Sequence, residues 1–101
     1  MQTNVLIDAG KAVIKLVGRF DFNTHRDFRN AYEPLVSDTQ VHSVTVDFSG
    51  VDYLDSSALG MLLMLRDKLG GVSKEVALTG VSGNVKQVLD IANFGKLFNF
   101  S

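Results

Sequence analysis

The spacing of apolar and polar positions changes along the chain, and each change marks an element. Val5-Leu6-Ile7 is a short apolar run, and Asp8-Ala9-Gly10 carries turn chemistry. From Lys11 the chain alternates: Lys11, Val13, Lys15 and Val17 share one face, and Ala12, Ile14 and Leu16 the other. Two such runs joined by Asp-x-Gly predict a hairpin with its lysine-bearing face toward water. Gly18-Arg19-Phe20-Asp21 closes the second strand. Asn23 and Thr24 are cap-type residues, after which Phe28, Ala31, Tyr32 and Leu35 recur at helical spacing. Pro34 lies inside that pattern and predicts a kink or an early end near Glu33, because proline has no amide to donate.

Ser43 to Phe48 reads as a third strand, with Val44, Val46 and Phe48 on one face and Thr45 and Asp47 on the other. Residues 49–54 read as a connecting loop and residues 56–69 as a long apolar helix stopped by Gly70-Gly71. Glu75 to Thr79 is a fourth strand, and Gly80 to Gly83 is a turn with Ser82 as N-cap. Val85, Val88, Leu89 and Ala92 mark a third helix ended by Gly95, and Leu97 to Phe100 is a last short strand. Strands and helices alternate after the hairpin, which implies βαβ units with right-handed crossovers. The expected fold is α/β: a four- or five-stranded mixed, mostly parallel sheet with helices packed on it. The 101 residues are expected to form one domain, 1–101.

Composition narrows the function. The net charge is −1 and the ten Lys and Arg are scattered, so no basic stripe serves nucleic acid or an anionic membrane. The absence of cysteine removes disulfides, thiol nucleophiles and thiolate metal sites. The N-terminus lacks a basic segment followed by a long apolar one, and the run Met61 to Leu65 is far below the roughly 20 residues that span a bilayer. These features predict a soluble, cytoplasmic protein that needs no cofactor.

The informative stretch is the joint Leu54-Asp55-Ser56-Ser57-Ala58, where a β-branched strand region gives way to the long helix. Such joints, beyond the carboxyl ends of strands, are where open α/β sheets carry function. Asp55 is an N-cap candidate, its carboxylate accepting from the amides of Ser57 or Ala58. Ser56 then occupies the first helical position with its hydroxyl outward. A phosphate there meets free amides and the positive end of the helix dipole, while it confronts any partner with about −1.5 to −2 charges. By residue chemistry alone, Asp-Ser-Ser also reads as ordinary capping. At the helical period, Ala58, Leu59, Leu62, Leu63, Leu65 and Leu69 fall on the sheet-facing arc. Ser57, Gly60, Met64, Asp67 and Lys68 fall opposite, with Met61 at the border. Met64 beside Gly60 makes an adaptable apolar surface suited to a protein partner.

Catalytic constellations are missing. No histidine is placed to activate Ser56: His25 and His42 read as surface residues, and no G-x-S-x-G elbow surrounds the serine. Asp47, Asp52 and Asp55 match no calcium-loop spacing, and Gly80-Val81-Ser82-Gly83-Asn84-Val85-Lys86 is not a Walker loop. The paired acidic residues of a response-regulator receiver are absent after the first strand. The chain is expected not to be an enzyme.

Asp55-Ser56-Ser57-Ala58-Leu59-Gly60, preceded by VTVDFSGVDYL, resembles the signature of STAS domains, the family of bacterial anti-sigma factor antagonists and of domains in sulfate transporters. The usual motif is D-S-S-G-L-G, and Ala58 replaces its first glycine. Gly18-Arg19-Phe20-Asp21 is similar to the family's G-x-x-D segment, and VKQVLDIANFGKLFNF follows its third helix and last strand. The resemblance implies a switch. The unmodified antagonist sequesters an anti-sigma factor, often a serine kinase of GHKL type. The kinase phosphorylates the first serine, here Ser56, and a PP2C-type phosphatase restores it. By the same resemblance Asp21, Asp55 and Ser57 neighbour the phosphosite, and Ala58, Gly60, Met61 and Met64 line the docking surface. Family members end in a further helix, whereas this chain stops at Ser101 directly after FNF. Either that helix is absent or the sequence is a shortened piece; its loss would open the sheet's flank and favour a homodimer. The alternative within the family is a constitutive subunit of a lipid-transport or signalling-scaffold complex.

Overall fold

The computed structural model describes residues 1–100; Ser101, where the sequence ends, lies outside the described residues. β1 (Gln2–Asp8) and β2 (Lys11–Phe20) form the predicted hairpin. Its turn residues Ala9 and Gly10 both have positive φ, 51° and 81°, the backbone of a tight two-residue connection. A 3-10 turn, Phe22–Thr24, leads into α1 (His25–Ser37). Then come β3 (Ser43–Leu54), α2 (Ser56–Gly71), β4 (Glu75–Thr79) and α3 (Gly83–Ile91). A second 3-10 turn, Phe94–Lys96, precedes β5 (Asn99–Phe100).

The five strands lie in the order β1-β2-β3-β4-β5, antiparallel at the hairpin and parallel elsewhere. Spatial order follows chain order, so right-handed crossovers lay all three helices on one face. Ile14 and Leu16 of β2, Val44, Val46 and Phe48 of β3 and Leu78 of β4 are buried against Phe28, Tyr32, Leu62, Leu65 and Leu89 from the helices. Lys11, Lys15 and Val17 stand exposed on the opposite face, as the alternation predicts.

Three expectations fail, each for a local reason. Residues 49–54 are strand, not loop: β3 runs on to Leu54 beside β2. The pairing passes from Lys15↔Asp47 to Val17↔Gly50 and from Gly18↔Val51 to Arg19↔Tyr53, so β3 takes one extra residue at each of two bulges. Each bulge breaks the two-residue period that marks a strand in sequence. Gly50 makes the first possible, since a Cβ there would lie 2.8 Å from the Leu16 carbonyl oxygen and 3.0 Å from Val17 Cγ2.

Secondly, the early end near Glu33 does not occur, and α1 continues through Pro34 to Ser37. Pro34 and Asn30, whose carbonyl lacks the Pro34 donor, are both exposed residues, and buried Tyr32 and Leu35 hold the last turn on the core. Lys74 then closes the helix end, its Nζ donating to the carbonyls of Leu35 (2.6 Å), Val36 (2.9 Å) and Asp38 (2.6 Å). Thirdly, α3 is ended not by Gly95 but by Asn93, which takes the left-handed conformation at φ 60° before the 3-10 turn. Ser82 occupies the N-cap of α3, but its side chain makes no capping bond.

α1 and α2 are tied at Glu33, whose Oε1 accepts from Lys68 Nζ and from Arg29 Nε, each at 3.2 Å. The Lys68 ammonium first, then the Arg29 guanidinium, hold the Glu33 carboxyl below the ordinary carboxylate range. A lowered folded-state pKa means that the stabilisation is present above the ordinary range and is lost as pH falls through the lowered value.

Glu33→Gln is therefore expected to flatten the acid limb of stability, read as urea midpoints between about pH 7 and pH 3. Gly50→Ala is expected to cost about 1–3 kcal/mol, because backbone of β2 must give way to the new methyl. Thermal unfolding checks it.

Candidate functional site

β2 and β3 finish level with each other. Phe20 pairs with Leu54, and the Asp55 amide donates to the Phe20 carbonyl at 3.3 Å. The next residues, Asp21 and Asp55, therefore stand side by side beyond the carboxyl ends of two parallel strands. Each is a cap. Asp55 is extended (φ −109°, ψ −179°), and its Oδ1 accepts from the Ala58 amide at 3.0 Å to start α2. Asp21 Oδ1 accepts from the Asn23 amide at 3.0 Å, while the Asp21 amide donates to Thr24 Oγ1 at 3.1 Å. Thr24 Oγ1 in turn donates to the Asp21 carbonyl at 2.8 Å. Thr24 is buried, so this reciprocal cap fixes where Asp21 points.

Ser56 is the first residue of α2 and is exposed. Capping falls to Asp55, which leaves the serine outside the machinery that starts the helix. The serine sits at the positive end of the α2 dipole, where Asp55 already holds the Ala58 amide through its carboxylate. Ser57, next along, is half-buried.

The faces of α2 differ from the expected arcs. Ala58, Leu62, Leu65 and Leu69 are fully buried, and Met61 joins them at 7% exposure. Ala58 and Met61, both expected on the docking surface, therefore belong to the core. Leu63, expected in the core, is 37% exposed. The buried stripe is rotated toward Met61 and away from Leu63. The outer face then carries Ser56, Gly60, Leu63 and Met64, the last 47% exposed. A Cβ on Gly60 would meet nothing within 4 Å, so that glycine leaves the surface flat.

The alternative chemistries are scattered. Asp47 Oδ1 accepts from the Ser49 amide at 2.9 Å, and Asp52 is exposed. Among the described residues no group of three or more His, Asp or Glu could hold a metal ion. Gly80 (φ 69°) packs so closely that a Cβ would lie 2.7 Å from Asp47 Oδ1, which makes this segment a tight connection between β4 and α3. His25 opens α1 and His42 precedes β3, both exposed. No helix among the described residues is long and apolar enough to cross a membrane.

Residues 4–99 match the family model described as the Mlab STAS domain. The chain belongs to the STAS family. A STAS-domain containing protein of Pseudomonas aeruginosa strain UCBPP-PA14 is 45% identical over 94 residues, 93% of this chain and 91% of that protein. An anti-sigma factor antagonist from Mycobacterium paratuberculosis superposes with TM-score 0.87 at 22% identity, covering 98% of this chain and 83% of that one. The anti-sigma factor antagonist SpoIIAA in its unphosphorylated form gives TM-score 0.77 at 20% identity over 99% of this chain and 87% of its own. The phosphorylated form of SpoIIAA, from Bacillus, gives 0.75 at 19% over 99% and 91%. A sulfate transporter family protein from Wolinella succinogenes gives 0.77 at 15% identity over 94% and 80%. At these identities the solved structures share the fold: a mixed five-stranded sheet with helices, common to antagonists and transporter STAS domains.

Two features of this STAS domain escape a reading by motif. Arg19 lies across the end of the sheet, its guanidinium carbon 4.0 Å above the Tyr53 ring and its Nε 3.6 Å from Asp21 Oδ2. That grouping depends on the bulged register Arg19↔Tyr53, which no local pattern reveals. Phe22, directly after Asp21, is exposed. The strand period would set it on the buried face of Phe20; it is exposed because the strand ends at Phe20 and the 3-10 turn begins at Phe22.

Asp55→Ala is expected to remove about 1 kcal/mol by deleting the cap of α2. Ser56→Ala is expected to stay within about 0.5 kcal/mol of the parent. Thermal melts of the two variants, side by side, check that the cap and the free hydroxyl are separate devices.

Proposed function

We propose that this STAS domain is an anti-sigma factor antagonist switched by phosphorylation of Ser56. Unmodified, it docks an anti-sigma factor that is also a serine kinase of GHKL type, through the outer face of α2. Phosphorylated, it is released, and a PP2C-type phosphatase resets it. The protein makes no bonds of its own in this reading and acts as the kinase's substrate. It works in the cytoplasm, without DNA, membrane or cofactor.

The observation that carries the reading is the exposed hydroxyl of Ser56 at the start of a helix capped by another residue. The modification therefore costs the fold little. Its effect on a partner is large. A phosphate adds about −1.5 to −2 charges beside the carboxylates of Asp21 and Asp55, at the edge of an apolar surface that a partner must desolvate. The family match and the likeness to antagonists of the same fold support the reading.

A second reading has its own support in the family model, which is described for Mlab. There the same α2 face holds the domain permanently in a lipid-transport or scaffold assembly, and Ser56 is never modified.

The two readings separate by capture from the native host with tagged parent, Ser56→Ala and Ser56→Asp. The switch predicts that parent and Ser56→Ala retain a kinase partner, that Ser56→Asp loses it at least about tenfold, and that ATP adds about 80 Da at Ser56. Equal capture by all three forms, with an ATPase subunit in the bound fraction, would sink the switch in favour of the constitutive subunit.

A further inference from the structure

We propose that β1 is a self-association edge, along which two copies of this chain pair antiparallel about Val5 and join their sheets. β1 is the outermost strand, and its pairing with β2 is unbroken from Gln2↔Val17 to Asp8↔Lys11. Its other side therefore presents a regular row of backbone donors and acceptors. Seven residues extend about 24 Å, whereas the opposite edge strand, β5, has two residues.

Edges of this kind are normally guarded by proline, lysine, a bulge or an inward charge. β1 has none of these. Its sequence, QTNVLID, carries a single charge, Asp8, and that residue faces Lys11 across the hairpin. The bulges fall between β2 and β3 and leave β1 straight.

The strand is also self-complementary. Pairing about Val5 sets Val5 against its own copy and Thr3 against Ile7 of the second copy. On that face every residue is β-branched, the best cross-strand partners for a pleated surface. On the other face Asn4 meets Leu6, and Gln2 meets Asp8, an amide donor against a carboxylate. No like charges oppose each other. Leu6 and Ile7, 61% and 50% exposed in one copy, point to opposite faces of the strand, and this register covers both. The arrangement closes on itself at two copies, as an isologous dimer must. It leaves the outer face of α2 free, because that helix joins β3 to β4, away from the β1 edge. A ladder of this length buries less than the usual ~800 Å² per partner, so the expected affinity is weak, with a dissociation constant on the order of 100 μM.

The chain has no cysteine, which makes cross-linking clean. Opposed residues of an antiparallel pair have Cα atoms about 4.5–5.5 Å apart, within disulfide reach. Val5→Cys is expected to oxidise to a covalent dimer at least about tenfold faster than Ile91→Cys, a control on an exposed residue of α3. Sedimentation equilibrium of the unmodified chain up to about 1 mM is expected to show a monomer–dimer equilibrium. Thr3→Lys/Ile7→Lys, which sets like charges opposite each other at two exposed positions, is expected to weaken it at least about tenfold. Two results overturn the proposal. One is a chain monomeric throughout, whose Val5→Cys form cross-links no faster than the control. The other is a dimer whose strength Thr3→Lys/Ile7→Lys leaves unchanged, since that dimer uses another surface.

Discussion

The contact on which the rest depends is the parallel pairing of β2 with β3, kept through two bulges until Phe20 lies beside Leu54. Without the bulges the two strands would part before the site. With them, two chains leave the sheet at the same level, each with an aspartate as its next residue. One aspartate starts the 3-10 turn that leads into α1 and the other starts α2. The direction of both helices, and hence the packing of Phe28, Tyr32, Leu62 and Leu65 on the sheet, follows from that shared exit.

The same arrangement divides labour among neighbouring residues. Asp55 and Asp21 spend their oxygens on backbone amides, and Thr24 closes the second cap from below. Ser56 has no part in this capping. The surface beyond it is made by what it lacks: a glycine without a side chain, then two flexible apolar side chains, Leu63 and Met64. A phosphate at the carboxylate-bounded end of this face would add like charge to like.

Much of this was legible in the sequence. The imperfect alternation in Lys11–Val17 and that in Ser43–Phe48 located two strands and their buried faces, and alternating element types gave a mostly parallel sheet. The cap at Asp55 followed from its chemistry and position. What failed did so where one signal was overridden by another. β3 beyond Phe48 loses its period because extra residues are inserted against a partner strand far away in sequence. α2 is apolar on nearly all sides, so its leucines could not say which side faced the sheet. Only packing chose Met61 over Leu63. Pro34 is a helix breaker by local rule, and a buried tyrosine and leucine with the lysine that precedes β4 outweighed it. The Arg19–Tyr53 stack exists only once the register is known.

Tyr53 has one more property. The chain has no tryptophan and two tyrosines, so at wavelengths beyond phenylalanine absorption its signal comes from Tyr32 and Tyr53. Tyr32 is sealed in the core against Phe28. Tyr53 lies under a guanidinium two residues before Asp55. The molecule thus carries one tyrosine at the carboxyl end of the sheet and a second, shielded one in the core.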